Sequence, residues 1–261
     1  MLSFTSAQLD AWLVAYLFPL VRMLGLVAAA PVLNNKSVPA RVRLGLGVVV
    51  TVALAPALPA ASGIDPGSLV GLLVLAQQML IGIAMGFAMR LVFAAVDTAG
   101  EVIGFQMSLS FATAFDPQNG GQSAVIQEFL GLLATLTFLA VDGHLMLIAA
   151  LAKSFAFLPV VAKPLGAAGW GDLARAGAYV FAAGVMLALP LIATMLVTSI
   201  ALGILTRAAP ALNIFAVGFP ITLTVGFAML AISLQYLSPN FQRFFMHGME
   251  NIDLVLRGLA P

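Results

Sequence analysis

The sequence predicts an all-α, polytopic membrane protein of about six long, partly kinked hydrophobic helices. Three observations predict it. Hydrophobic residues make up 62% of the 261 positions and charged residues 8%, against about 25% charged in soluble domains. Mean hydropathy is +1.10. The apolar residues fall in long runs separated by short polar, Pro- and Gly-containing breaks. A chain this poor in charge cannot cover a globular surface with polar groups. Its solvent must be the bilayer or the apolar surface of other proteins.

The first run, from about Ala11 to Ala30, follows Thr5, Ser6 and Asp10 and ends at Pro31. No Lys or Arg precedes it, so it reads as a retained helix and not as a signal peptide. The polar, basic linker 34–43 leads to a second run, Leu44 to about Leu58, closed by Pro56 and Pro59. A turn at 62–67 opens a third run that stays helix-compatible from Ser68 to about Ser110. That is roughly 60 Å of helix, twice what one crossing needs. Pro117 and the glycines at 120 and 121 must break it. A fourth run, about Ala124 to Ala152, is interrupted by Asp142, Gly143 and His144. A mixed loop from Lys153 to Asp172 precedes two long runs, about Ala174 to Leu205 and Ile214 to Leu237. Pro190 and Pro220 inside them predict kinks. The tail 238–261 is more polar and predicts a short amphipathic helix. Lys36, Arg41 and Arg43 in the first loop place that loop in the cytoplasm and the N-terminus outside.

Several function classes drop out early. A net charge of +1 offers no basic surface for nucleic acid. Cysteine is absent and only two histidines are present, which argues against thiol chemistry and a metal site. No nucleotide-binding loop or serine elbow occurs. The sequence predicts neither an enzyme nor a cofactor.

What polarity remains is placed selectively. Arg90, Asp97, Glu101 and Ser108 lie at offsets of 7, 11 and 18, within about 20° of one line on a helix. Arg90 and Asp97 are two turns apart, and a helical Arg leans toward its N-terminus, so the two do not pair. Asp97 and Glu101, four residues apart with like charge, repel. The stripe therefore predicts a polar subunit interface or pore wall, or else a surface stripe beyond the bilayer. Glycine pairs at 67/71, 82/86 and 100/104 have the spacing that lets helix backbones approach closely. Met107, Phe111 and Phe115 repeat every four residues ahead of the break at Pro117. They can be ordinary packing residues or an apolar constriction that seals a pore. Asp142 and His144 mark either a polar turn or a proton relay.

Taken in order, Ser37–Leu46, Gln77–Phe87, Thr98–Met107, Ser110–Pro117, Asp142-Gly143-His144 and Pro210–Pro220 resemble the FliR family of type III export gate subunits. The resemblance spans nearly the whole chain, residues 1–261, as one membrane domain. At Phe111–Pro117 it is closer to the flagellar branch than to the virulence-secretion homologue. It implies helical hairpins within an export gate in the bacterial inner membrane, at the flagellar basal body. A single copy would complete a ring of FliP and FliQ, with FlhB attached and FlhA below. Unfolded flagellar proteins would pass through, driven by proton motive force. It also implies that a loop at about 105–122 plugs the closed channel, with Phe111 and Phe115 as plug aromatics beside Phe105 and Met107. The competing readings are a proton-coupled secondary transporter with a site near Arg90, Asp97 and Glu101, the homologous virulence subunit, and a scaffold without a gate.

Overall fold

The computed structural model describes residues 6–35, 37–59, 64–109, 125–210 and 214–260. Among them the chain forms seven α-helices and no strand. The helices are α1 (Ser6–Ala29), α2 (Ala40–Leu54), α3 (Leu69–Gln106), α4 (Val125–Ala140), α5 (Gly143–Phe157), α6 (Ala168–Ala208) and α7 (Ile214–Leu259). A 3-10 turn, Ala55–Ala57, extends α2. The protein is thus all-α, and four of its helical spans are long and apolar enough to cross a membrane, or five if α4 and α5 count as one broken span.

Local chemistry sets the boundaries. Asn34 bonds the Ala28 carbonyl at 2.5 Å and accepts from the Arg43 guanidinium, which ties the first loop to the end of α1. Pro39, fixed near φ −55°, cannot continue a helix backward, and α2 starts after it. Ser68 caps α3: its hydroxyl oxygen accepts the Gly71 N–H at 3.0 Å, the usual role of an N-cap serine. Gly71 is required there, because a Cβ would strike Pro66 Cα at 2.8 Å.

The interrupted fourth run is two helices, α4 and α5, divided where the sequence predicts. One predicted element differs: the tail is not a separate helix, because α7 runs through Pro220 and Pro239 to Leu259. Proline removes one backbone bond, whereas Phe241, Phe245, Ile252, Leu256 and Leu259 are buried at helical spacing beyond it. That burial holds the helix together across the missing bond. At Pro190 and Pro220 the threonine four residues on donates its hydroxyl to the proline carbonyl, at 2.9 and 2.7 Å.

The chain divides into two compact units. The first comprises residues 1–91, 142–177 and 245–261. Its core joins Phe18, Met23 and Leu26 of α1 with Ile81, Met85 and Met89 of α3, and Leu147, Leu151 and Phe155 of α5. Glycines bring α1 and α3 into backbone contact. A Cβ on Gly25 would lie 2.6 Å from the Met79 carbonyl oxygen, one on Gly86 2.8 Å from that of Leu26, and one on Gly82 would fall onto that of Arg22.

The second unit comprises 92–141 and 178–244. Ile126, Leu130, Ala134 and Phe138 form the buried stripe of α4, and Phe138 meets Phe93 edge-on at 5.7 Å. Gly100 accommodates the backbone of Gln127, and Gly184 sits 2.9 Å (Cβ position) from the Ala95 carbonyl.

Candidate functional site

Of the predicted polar stripe, Arg90, Asp97 and Glu101 lie on α3, whereas Ser108 falls just past its end. Arg90 and Glu101 are exposed, and Asp97 is half-buried. Within the second unit Asp97 turns toward α4, where a Cβ on Gly131 would lie 3.7 Å from its carboxylate oxygen. Thr98 next to it bonds back to the Ala94 carbonyl at 2.8 Å and leaves the helix intact. The stripe is therefore a mixed surface: two charges face outward and one packs beside a neighbouring helix.

Helix α3 ends in a defined cap. Ser108 N–H donates to Phe105 O and Leu109 N–H to Gly104 O, both at 3.0 Å. Ser108 has φ 62°. This is the Schellman pattern, with serine in the left-handed position that normally holds glycine. Just before it the two described gate candidates part. Phe105 is 61% exposed, whereas Met107 is fully buried. Met107 fills the space beside Gly226 of α7, whose added Cβ would lie 2.6 Å from the Met107 Cγ. Phe111 and Phe115, with the rest of 110–122, lie outside the described residues. Because left-handed serine is strained by about 1 kcal/mol relative to glycine, Ser108→Gly should raise thermal stability slightly, by up to about 1 kcal/mol. Calorimetry or a thermal-shift assay in detergent checks this; a fall in stability would mean that the serine side chain is needed.

The predicted polar turn at 142–144 is present. Asp142 takes a left-handed conformation, φ 57° and ψ 28°, and its carbonyl accepts from Leu145 and Met146. His144, in the first turn of α5, has its Nδ1 buried and without a hydrogen-bond partner among the described residues.

A further constellation escaped the sequence reading. Arg22 of α1 is fully buried, and its guanidinium is clamped on every side within the first unit. Its Nε donates to Gln78 Oε1 at 2.8 Å, and Nη2 reaches the same oxygen. Nη1 donates to Ser154 Oγ and Nη2 to the Leu158 carbonyl, each at 2.8 Å. The cation also lies 3.8 Å above the Phe155 ring. Ser154 passes its own proton to Leu151 O at 2.6 Å. The clamp joins α1, α3 and the end of α5 without a carboxylate in ion-pair range among the described residues. The available signal was two polar interruptions, Arg22 and Gln78, in two separate apolar runs, with Ser154 just past the end of a third.

Residues 13–248 match the model of bacterial export proteins, family 1. The chain is 46% identical over 245 residues to the flagellar biosynthetic protein FliR of Escherichia coli, covering 94% of each chain. It is also 46% identical over 260 residues to FliR of Pectobacterium carotovorum, covering 100% of this chain and 99% of that one. The chain belongs to the FliR family of bacterial export proteins. More distant FliR proteins match as well, at 30% identity over 227 residues in Bacillus subtilis. A FliR-family chain with this many long apolar helices is a membrane component of the flagellar export apparatus.

Proposed function

We propose that this chain forms, with FliP and FliQ, the type III export channel through which unfolded flagellar proteins cross the bacterial inner membrane at the basal body. A single copy completes the ring, FlhB attaches to it, FlhA lies below, and proton motive force drives transport. The observation that carries this reading is the uncovered apolar surface of helices too long for a bilayer. Helices α3, α6 and α7 hold 38, 41 and 46 residues, or roughly 57 to 69 Å, against a hydrocarbon core of about 30 Å. Along α6, Phe181, Met186, Val197 and Ile204 are 65–70% exposed. Apolar surface of that length, only part of which lipid can cover, is what helical partner subunits would bury.

In this reading Arg90 and Glu101 meet polar groups of neighbouring subunits, since isolated charges at membrane depth are costly. The segment after α3 forms the plug: in this reading Phe105, Phe111 and Phe115 present apolar side chains to the lumen, with Met107 anchoring the start of the segment beside Gly226. The test is conductance. The complex is assembled with residues 110–122 replaced by a Gly-Ser linker of equal length and studied in planar bilayers. The expected result is a large, constitutive ion leak absent from the unaltered complex. An assembled but electrically silent variant would sink the plug. Recovery of the chain as a stable homodimer without FliP- or FliQ-like partners would instead favour a transporter.

A further inference from the structure

The first unit contains a cavity of about 400 Å³ beside the arginine clamp. Gln77, Gln78 and Ile81 of α3 line one side, and Phe157, Val161 and Lys163, following α5, line the other. That volume is in the range of small-ligand sites. Its electrostatics are one-sided, with no carboxylate in the lining among the described residues. Lys163 is exposed at its rim, and Arg257 lies 5.2 Å from the Phe157 ring in its wall. Behind the wall sits Arg22, a buried cation whose partners are all neutral. Gln78 and Leu158 belong to both clamp and cavity. Since Arg22 donates twice to Gln78 Oε1, the amide orientation of Gln78 is settled. Its Nε2 is therefore the amide atom not engaged by the guanidinium, and the residue as a whole contributes to the cavity lining.

We propose that this cavity binds the phosphate headgroup of an anionic membrane phospholipid. A buried charge without a counter-ion is costly, and an anion in the adjoining cavity offsets it from one side chain away. Gln78 supplies a neutral donor, and Lys163 and Arg257 supply the outer charge. The apolar walls, Ile81, Phe157 and Val161, suit a lipid better than a free anion, and they adjoin helices whose outer faces are apolar. Basic pockets between membrane helices hold anionic headgroups by this logic.

The full chain, purified and stripped of lipid in detergent, is titrated with dioleoylphosphatidylglycerol, with dioleoylphosphatidylcholine and with inorganic phosphate. Binding is read by native mass spectrometry and by thermal shift. The anionic lipid is expected to bind at least fivefold more tightly than the zwitterionic one, with phosphate alone giving no shift at matched concentration. Lys163→Ala should weaken the anionic lipid about fivefold, from about 1 kcal/mol per basic group. Lys153→Ala, exposed on α5 outside the cavity, should change it less than twofold. Equal affinity for the two lipids, an equal effect of phosphate alone, or equal behaviour of the two lysine variants would each overturn the proposal.

Discussion

Arg22→Ala is expected to lower the stability of the detergent-purified protein by about 3–5 kcal/mol, the range found when one partner of a buried charged cluster is removed. The side chain is fully buried, so the substitution opens a void as well as deleting donors. The Gln78 Oε1 and the Leu158 carbonyl lose the hydrogen bonds they now accept. Each buried acceptor left empty costs about 1–3 kcal/mol. Phe155 loses the cation over its face. Arg22→Lys keeps the charge but not the planar fork that serves three acceptors at once, and should fall between the alanine variant and the parent. The double variant Arg22→Leu, Gln78→Leu removes both members of the closest pair. It should recover part of the loss, because buried polar clusters are replaced more cheaply together than singly. Thermal unfolding followed by circular dichroism, with the yield of monodisperse protein, measures all three. An alanine variant as stable as the parent would show that the clamp contributes nothing.

The second large effect concerns a glycine. Gly82→Ala places a methyl group on the carbonyl oxygen of Arg22 and 2.8 Å from the backbone nitrogen of Leu26. Both neighbours are backbone, so neither can rotate aside, and α1 must move away from α3. That movement loosens the packing of Leu26 and Met85 and disturbs the base of the Arg22 side chain. A loss of about 2–3 kcal/mol follows from overpacking of this kind. Gly45→Ala on α2 is the matched control. Nothing lies within 4 Å of its added Cβ, and alanine is favoured over glycine in a helix by up to about 1 kcal/mol. Gly45→Ala should therefore leave the unfolding temperature unchanged or raise it, while Gly82→Ala lowers it. Equal tolerance at the two positions would refute the close backbone approach.

The glycine pairs show what local pattern can and cannot say. The spacing at Gly82 and Gly86 predicted a close helix contact, and both face the backbone of α1. Gly100 does the same against Gln127 of α4. Gly67 and Gly71 have the same spacing but serve the turn at Asp65 and Pro66, where Gly67 N–H bonds the Asp65 carboxylate at 2.8 Å. Period alone does not distinguish a helix that meets another helix from one that meets its own preceding loop. Met107 illustrates a related ambiguity. By spacing it belongs with Phe111 and Phe115, yet it lies buried beside Gly226, 119 positions further along the chain by numbering.

Properties that add up along the chain were legible without coordinates. Low charge and long apolar runs required an all-α membrane protein, because only helices satisfy backbone hydrogen bonds within a single apolar segment. The break at Asp142 was legible as a polar Asp-Gly interruption, whereas α3 ends at Gln106 on a left-handed Ser108 and the predicted break at Pro117 lies outside the described residues. The residues that carry the FliR resemblance were likewise visible as sequence. The arginine clamp was not, since its partners lie 56, 132 and 136 residues from Arg22 and no local period links them. Nor was the persistence of α7 past Pro239, which depends on burial of Phe245, Ile252 and Leu256. Solvation preference and backbone stereochemistry act residue by residue and accumulate in order. Pairing of a buried cation depends on which distant acceptors the packed helices bring within 3 Å, and that is settled only when the chain is folded.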